Sequence, residues 1–239
     1  MEAEASPELS IVIPCFNEEQ RLPRTIELIE QYLARVGTSY ELILVDDGSF
    51  DGTRQIMDAA AERNRSVRLE ALPQNRGKGR ALAEGVAAAS GAEVLVTDAD
   101  LSTPIEEIDK LRAELSKGAG VAIASRAVKG SRVEVSQPVY RVLMGKAFNL
   151  LVQAVLLPGI WDTQCGFKLF RADVAKDAFG ALTTDGFGFD PEVLFRAKKR
   201  GVRIAEVPVV WRNSAPTKVS PIKSSLDMFK HVVRIRFSA

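Results

Sequence analysis

The chain alternates between short apolar runs and longer amphipathic segments. Five runs are rich in aliphatic and β-branched residues: LSIVIP (9–14), YELILVDD (40–47), VRLEAL (67–72), AEVLVTDAD (92–100) and GVAIAS (120–125). The segments between them, such as RTIELIEQYLARV and GRALAEGVAAAS, space their apolar residues as an α-helix does. Strands with two apolar faces that alternate with helices predict an α/β protein, with a mostly parallel sheet covered by helices on both faces.

Polar residues collect where four of the predicted strands end. They are Asn17 and Glu18, then Asp46 and Asp47, then the segment 75–78, and finally Asp98 and Asp100. Because parallel sheets bind ligands at the carboxyl ends of their strands, we expect these residues to form one site.

The second half of the chain has a different pattern. A long apolar helix is predicted from about Tyr140 to Leu157, followed by DTQCGFKLF, GFGFDPEVLFRAKKRG, RIAEVPVVWR and a basic tail. No linker composition and no internal repeat separates the halves. A single domain over 1–239 is the simplest interpretation, with a separate second domain as the alternative.

Composition and charge narrow the class of protein. The 239 residues are 46% hydrophobic and 26% charged, with a formal net charge of +1, so the composition is that of a globular protein with no general nucleic-acid footprint. Two cysteines indicate a reducing compartment. The acidic start MEAEASPELS is not expected to be a signal peptide. FNLLVQAVLLPGIW (148–161) is too short to span a bilayer but could lie at its surface, so we expect a soluble or peripheral protein.

The stretch DDGSFDGT (46–53) predicts a strand-to-helix turn. Its glycines would bring backbone N–H groups close to a ligand, and Ser49 and Thr53 could cap the next helix. Asp46 and Asp47 would then accept hydrogen bonds from a base or ribose; a turn with capping carboxylates is the equal alternative. NRGKG (75–79) resembles a phosphate loop but lacks the spacing of a Walker motif.

The stretch VTDADLSTP (96–104) carries the clearest chemistry. Asp98 and Asp100 would face the same side of an extended chain, so they repel each other unless a positive partner lies between them. The helix start that follows, with Thr103, Pro104 and Glu106 as a capping signature, would fix the chain there. Two carboxylates with water and phosphate oxygens suit Mg²⁺ or Mn²⁺, which can neutralise a leaving diphosphate. A pair of solvated turn aspartates is the alternative.

Taken together, these stretches resemble the inverting nucleotide-sugar glycosyltransferases of family 2, which have the GT-A fold. IVIPCFNEE, ILVDDGSFDGT, NRGKGRAL and VTDADLSTP follow that family's order and spacing. ASR, DTQCGFKLF, GFGFDPEVL, EVPVVWR and TKVSP look like the dolichyl- and polyprenyl-phosphate glucosyl- and mannosyltransferases, and are closer to the glucosyl branch. The resemblance covers about residues 9–225 and implies a nucleotide-sugar-binding half (about 9–125), an acceptor half (about 126–215) and a loop with an amphipathic tail (216–239).

The resemblance also implies roles for single residues. Asp98 and Asp100 would hold the metal and the donor diphosphate, and Ser102 stands where mannosyl members have a further metal ligand, so we expect a water there. The expected nucleotide-binding residues are Pro14, Asn17, Glu18, Asp46, Asp47, Lys78 and Asp98. The expected contacts to donor or acceptor phosphate are Arg126, Arg141, Lys168 and Lys218, with a solvated surface charge as the alternative for each.

The implied reaction is transfer of a hexose, glucose before mannose, to a polyprenyl phosphate. A phosphate monoester is largely dianionic near neutral pH, so it needs no general base. A hydroxyl acceptor would need one, and Asp190 is the candidate by motif. The expected catalytic residues are Asp100, Asp190, Arg126 and Lys168. A family 2 enzyme with a hydroxyl acceptor and an inactive nucleotide-sugar-binding module are the alternatives.

The tail predicts a contact with the membrane surface. KSSLDMFKHVVRIRFSA (223–239) places Leu226, Phe229, Val233 and Phe237 at roughly helical spacing among basic residues, as in an interfacial helix. Packing of this helix onto the domain is the equal alternative. We therefore expect a cytoplasmic protein that is peripheral at the cytoplasmic membrane face.

Overall fold

The computed structural model describes residues 6–135, 139–212 and 231–237. The strands are β1 Leu9–Cys15, β2 Tyr40–Asp46, β3 Val67–Ala71, β4 Glu93–Val96, β5 Val121–Ser125, β6 Arg132–Val135, β7 Lys168–Arg171, β8 Ile204–Pro208 and β9 Val210–Arg212. The helices are α1 Leu22–Val36, α2 Thr53–Arg63, α3 Lys78–Ala88, α4 Ile108–Ser116, α5 Val139–Val155, α6 Ala172–Gly180, α7 Phe189–Lys199 and α8 over 231–237. A short 3-10 helix, Ile105–Glu107, precedes α4.

The large sheet has the order β3-β2-β1-β4-β7-β5-β8, and its central strands are buried on both faces. Ile11 and Ile13 of β1 belong to the apolar cluster that contains α1, α2 and α4. Val12 points the other way, into the cluster that contains α3, α6 and α7. Successive side chains of a strand alternate between faces, so both faces needed apolar residues and a helical layer. The predicted mostly parallel α/β sheet with helices on both sides is confirmed.

The strand order reverses beside β1. The chain pairs β1 with β2 and β2 with β3 in parallel, then returns to pair β4 with the other side of β1. Ligands bind at such a reversal, in the crevice beyond the carboxyl ends of the strands. The residues that follow β1, β2 and β4 therefore share one edge of the sheet, as expected from the sequence.

One strand runs against the others. β7 lies between β4 and β5 and is antiparallel to both, with Lys168 opposite Val96 and Ile123. Because β7 is antiparallel, its first residue lies at the edge where the parallel strands end. This places Lys168 next to the residues that follow β4. Strands β6 and β9 pair separately in parallel.

The helix α5 is only partly packed. Val152 is fully buried, whereas Tyr140, Leu143 and Leu150 are exposed, Leu150 at 67%. Within the described residues, no helix is long and apolar enough to cross a membrane.

The described part of the tail helix packs onto the domain, which was one of the two alternatives that the sequence left open. Val232 and Ile235 of α8 are buried in the core cluster of α3, α6 and α7. Two residues of the predicted apolar stripe do not face this core: Val233 is 41% exposed and Phe237 is 85% exposed. Leu226 and Phe229, the rest of that stripe, lie outside the described residues. The helix thus packs through one stripe and presents another.

Candidate active site

The loop after β1 is fastened to the loop after β2. The backbone N–H of Asn17 donates to Ser49 Oγ at 3.0 Å, and that of Glu18 donates to Thr53 Oγ1 at 2.6 Å. In return, Asn17 Oδ1 accepts from the N–H of Phe50 at 3.0 Å. Asn17 adopts the left-handed conformation (φ 56°), which asparagine tolerates better than most residues. The hydroxyls of Ser49 and Thr53 therefore join two loops, and the expectation that they cap α2 is wrong, because α2 has no side-chain cap.

Asp46 and Asp47 are buried and organise the backbone around them. Asp46 Oδ1 accepts from the N–H of Ser49 at 2.9 Å. The two oxygens of Asp47 accept from the N–H groups of Arg76 and Gly77, at 2.7 and 2.9 Å. Asp47 thus fixes the NRGKG loop against the carboxyl end of β2, and this loop places Lys78 at the start of α3.

The positive partners of the two strand-end aspartates belong to the chain itself. Lys78 Nζ forms an ion pair with Asp98 Oδ1, and Arg21 Nη1 lies 3.9 Å from Asp100 Oδ2. Asp100 Oδ1 accepts from the N–H of Ser102 at 2.9 Å. Burial, and then the charge of Asp98, raises the pKa of Asp100. A further positive charge near Asp100 would stabilise the ionised form of its carboxyl group.

The carboxylates fit a divalent cation only if further oxygens come from a ligand. Asp98 and Asp100 supply hard oxygen donors of the type that Mg²⁺ and Mn²⁺ prefer. In the part of the chain that the structure describes, no group of three or more His, Cys, Asp or Glu side chains could hold a metal. Water and diphosphate oxygens would have to complete the shell, as the sequence indicated.

The segment after Asp100 is held differently from the prediction. Thr103 was expected to cap the following helix, but the Ile105–Glu107 turn has no side-chain cap. Thr103 is buried instead, with its Oγ1 3.6 Å from the Sγ of Cys165. The contact ties the DAD segment to the DTQCGFKLF segment. Burial is the main cause that raises the pKa of Cys165, so its thiol is a packing group here.

Lys168 and Asp190 form a buried ion pair. Lys168 Nζ donates to Asp190 Oδ1, and also to the carbonyl of Cys165 at 2.6 Å. Burial raises the pKa of Asp190, and the charges of Lys168 and Lys78 oppose that rise. Asp190 therefore lies within reach of both lysine charges, and it links the start of β7 to the first turn of α7.

Arg126 is held by a residue that the sequence did not single out. Its Nε and Nη2 donate to the two oxygens of Asp162, at 2.7 and 2.8 Å, and its guanidinium lies 5.3 Å from the ring centroid of Trp211. The backbone N–H groups of Trp161 and Asp162 donate to Glu206, which fixes the turn that carries Asp162. Asp162 is the first residue of DTQCGFKLF. The motif is visible in the sequence, but the pairing of its first residue with Arg126 was not predicted.

A cavity of about 380 Å³ opens at this edge of the sheet. Its lining includes seven of the residues above together with Phe16 and Phe187: Pro14, Glu18, Arg21, Asp47, Lys78, Asp98 and Asp100 are the seven. Arg21 and Phe187 were not predicted; Arg21 could have been noticed as the cation that follows IVIPCFNEE. The side chain of Arg141 and all of Lys218 lie outside the described residues.

A doubly covered α/β sheet whose point of strand reversal has a cavity lined by carboxylates, a lysine and an arginine is typical of enzymes that bind nucleotides. Residues 10–179 match the family described as Glycosyl transferase family 2. The chain therefore belongs to glycosyl transferase family 2 and is a glycosyltransferase enzyme.

Individual glycosyltransferases are similar to this chain in sequence. The dolichyl-phosphate beta-glucosyltransferase of Dictyostelium discoideum is 35% identical over 241 residues, which is 96% of this chain and 74% of that protein. The protein of the same name from Homo sapiens is 34% identical over 242 residues, 96% of this chain and 75% of that protein. Among solved structures, glucosyl-3-phosphoglycerate synthase from Mycobacterium tuberculosis with Mn²⁺ and UDP-glucose has a TM-score of 0.73 at 21% identity, covering 98% of this chain and 80% of that one. That last likeness concerns the fold.

Proposed function

We propose that this enzyme transfers glucose from a nucleotide diphosphate sugar to a dolichyl or other polyprenyl phosphate, with inversion at the anomeric carbon. The observation that carries the proposal is the single charged cluster at the carboxyl edge of the sheet. In it, Asp190 interacts electrostatically with Lys168, Lys78 and Asp98, and its charge also acts on Arg126. The names of the relatives support glucose as the sugar and dolichyl phosphate as the acceptor.

The donor would occupy the cavity beside β1, β2 and β4. The loop with Asn17 and Glu18, and the turn with Asp46 and Asp47, would enclose the nucleoside. Lys78 and Arg21 supply positive charge next to the two aspartates, where the diphosphate would lie. Such cations stabilise the charge that grows on a leaving diphosphate.

A divalent cation, Mg²⁺ or Mn²⁺, fits the same place. Asp98 and Asp100 would hold it together with diphosphate oxygens. When bound, it supplies Lewis-acid stabilisation of the leaving diphosphate. The Mycobacterium tuberculosis structure contains Mn²⁺ in a protein of the same fold; for this chain the proposal rests on its own two carboxylates.

The acceptor side would be formed by the elements that carry Arg126, Lys168 and Asp190. The acceptor phosphate, already anionic, attacks the anomeric carbon as the bond from that carbon to the donor diphosphate breaks on the opposite face. No proton has to be removed, so Asp190 can remain paired with Lys168. Arg126, held by Asp162, would orient the acceptor phosphate. Arg141 and Lys218 remain candidates for further phosphate contacts.

A hydroxyl acceptor is the competing possibility. It would require Asp190 as the general base. The ion pair between Asp190 and Lys168 works against that role, because Oδ1 of Asp190 already accepts from the lysine ammonium, although burial raises the pKa of Asp190 above its usual range.

A contact with the membrane surface belongs to the same proposal, because a polyprenyl phosphate presents its headgroup there. The exposed apolar side chains of α5 and α8 are the surfaces that suit it: Tyr140, Leu143, Leu150, Val233 and Phe237.

A donor panel tests the proposal. UDP-glucose, GDP-mannose and UDP-GlcNAc are each incubated with Mn²⁺, the full chain and either a short polyprenyl phosphate or a soluble sugar acceptor. The products are separated and their anomeric configuration is read by NMR. We expect a β-glucosyl phosphate lipid from UDP-glucose. Transfer to a soluble sugar hydroxyl with none to the lipid phosphate would favour the hydroxyl-acceptor alternative, and the absence of transfer and donor hydrolysis would favour a binding module.

A further inference from the structure

Both oxygens of Asp98 already have a close neighbour in the chain. Oδ1 lies in an ion pair with Lys78 Nζ, with the lysine side chain 19% and the aspartate side chain 38% exposed. Oδ2 lies against Gly166, where an added methyl group would overlap it. A cation that approaches Asp98 therefore meets the ammonium of Lys78 at the oxygen that it needs.

Asp100 has a weaker cationic neighbour. Arg21 lies 3.9 Å from its Oδ2, and the same guanidinium donates two hydrogen bonds of 2.7 Å to Glu18. Because Glu18 holds Arg21, the arginine does not close on Asp100. The two aspartates thus differ, since one is neutralised by a lysine and the other lies beside an arginine that another residue holds.

The ammonium of Lys78 has an alternative anionic partner when a diphosphate is bound. It is the first residue of α3, its ammonium lies 5.5 Å from the ring centroid of Phe189, and Asp190 is among the charges that act on it. A diphosphate in the cavity would add a second anion near the positive end of α3. The lysine can therefore exchange Asp98 for a phosphate with a small movement of a flexible side chain.

We propose that Lys78 occupies the metal position of Asp98 in the free protein, and that the donor diphosphate draws its ammonium away so that the divalent cation can bind. This rests on the proposed function, because it takes a diphosphate donor and a metal at Asp98 and Asp100 as given. It adds a role for Lys78 as a positioning residue that makes metal binding and donor binding cooperative. Such coupling is reciprocal, so each ligand raises the affinity for the other.

Removing the ammonium should separate the two effects. In K78M, Mn²⁺ alone should bind about tenfold more tightly than in the wild type, the factor that corresponds to about 1.4 kcal/mol of lost competition. The gain in Mn²⁺ affinity that UDP produces should shrink by a similar factor, since no lysine remains to be displaced. K78R keeps a positive charge and should retain the weak binding of Mn²⁺ alone.

The experiment is a titration of the full chain with Mn²⁺, with free Mn²⁺ measured by electron paramagnetic resonance, in the absence and presence of saturating UDP. K110M is the matched control, because Lys110 of α4 forms an ion pair with Glu107 of the preceding 3-10 helix, and neither residue lines the cavity. Its Mn²⁺ affinity should equal that of the wild type. Thermal melts of each variant verify that the protein is folded at the titration temperature.

Two results would overturn the proposal in distinguishable ways. If Mn²⁺ binds K78M no more tightly than the wild type, while UDP still strengthens binding equally in both, Lys78 does not compete and the metal site stands. If the wild type binds no Mn²⁺ even with UDP and transfers glucose in excess EDTA, the metal part of the proposed function fails and this proposal fails with it.

Discussion

The ammonium of Lys168 and the carboxylate of Asp190 pair in the interior, with their side chains only 2% and 7% exposed. Lys168 opens the antiparallel strand β7, and Asp190 lies in the first turn of α7. Charges so deeply buried depend on each other, because neither can be hydrated if its partner is removed. The pair therefore joins two elements that carry the proposed acceptor side.

The first prediction concerns stability. D190N should lower the free energy of unfolding by about 3 kcal/mol, because it leaves the ammonium of Lys168 buried without its countercharge. The double variant K168M/D190L, which removes both charges, should recover much of that loss. Denaturant unfolding measures both. D173N is the control, since Asp173 pairs with Arg171 at the exposed surface and should change stability by less than about 1 kcal/mol. An unfolding midpoint for D190N equal to that of the wild type would contradict a buried ion pair.

The second prediction separates the acceptor classes. D190N should reduce turnover and leave the acidic limb of the pH–rate profile in place, because a phosphate acceptor needs no general base. The measurement is kcat/KM for transfer to a short polyprenyl phosphate across pH 5–9, at a temperature where the variant is folded. Should the variant instead lose a rate-controlling ionisation that the wild type has, Asp190 acts as a base and the acceptor is a hydroxyl.

The third prediction concerns the aspartates after β4. D100N should abolish transfer and weaken Mn²⁺-dependent binding of UDP, because it removes one of the two carboxylate charges that face the diphosphate. Isothermal titration with UDP, with and without Mn²⁺, measures the effect. D58N, at an exposed ion pair with Arg54 on α2, should bind like the wild type. Near-wild-type activity of D100N with Mg²⁺ would refute the metal assignment.

The sheet, and the position of the aspartates at the ends of its strands, could be predicted from the sequence because both depend on local patterns. Apolar runs give the strands, and polar residues at their ends mark the carboxyl edge of the sheet, where Asp46 ends β2 and Asp98 follows β4. The partners of these side chains depend on long-range geometry. Lys168 reaches Asp190 because β7 runs antiparallel, and a pattern of apolar residues does not state the direction of a strand.

The same reasoning explains the missed partner of Arg126. Asp162 and Arg126 are 36 residues apart, and only the turn held by Glu206 brings them together. In the tail helix, the spacing of apolar residues alone could not decide whether Val232 or Val233 faces the core. Packing against the cluster of α3, α6 and α7 decided for Val232.

The fourth prediction uses the pair of Asp162 and Arg126. Burial tends to raise the pKa of Asp162, but hydrogen bonds and charge from Arg126 outweigh it and lower that pKa. A carboxyl group whose pKa is lowered in the folded state stabilises the protein at pH values above its unfolded pKa of about 3.9. This stabilisation is lost as the pH falls through the folded pKa. D162N should therefore be less stable than the wild type at pH 7, and the difference should narrow as the pH falls below about 4.

Thermal melts of both proteins from pH 7 to pH 3 give this difference directly. D162N should also raise KM for the lipid phosphate more than KM for the donor, since Arg126 loses the carboxylate that orients it. A stability difference that stays constant over this pH range would mean that the ionised carboxylate of Asp162 is not what matters.

The fifth prediction concerns the membrane surface. In α8, Val233 and Phe237 are exposed, while Val232 and Ile235 lie in the core. V233S/F237S should weaken binding to anionic liposomes by about tenfold, because burying a large apolar side chain in the interface contributes about 1.5 kcal/mol or more. Its melting temperature should change little, since both side chains are exposed. Liposome co-sedimentation measures the binding, and assays with long-chain and with short water-soluble acceptors measure transfer. The variant should transfer to the short acceptors as efficiently as the wild type does.

V232S/I235S is the matched control, which should destabilise the fold and keep the exposed stripe. If V233S/F237S binds liposomes as the wild type does, the exposed stripe of α8 is not the membrane contact, and the unpacked residues Leu143 and Leu150 of α5 become the surface to test.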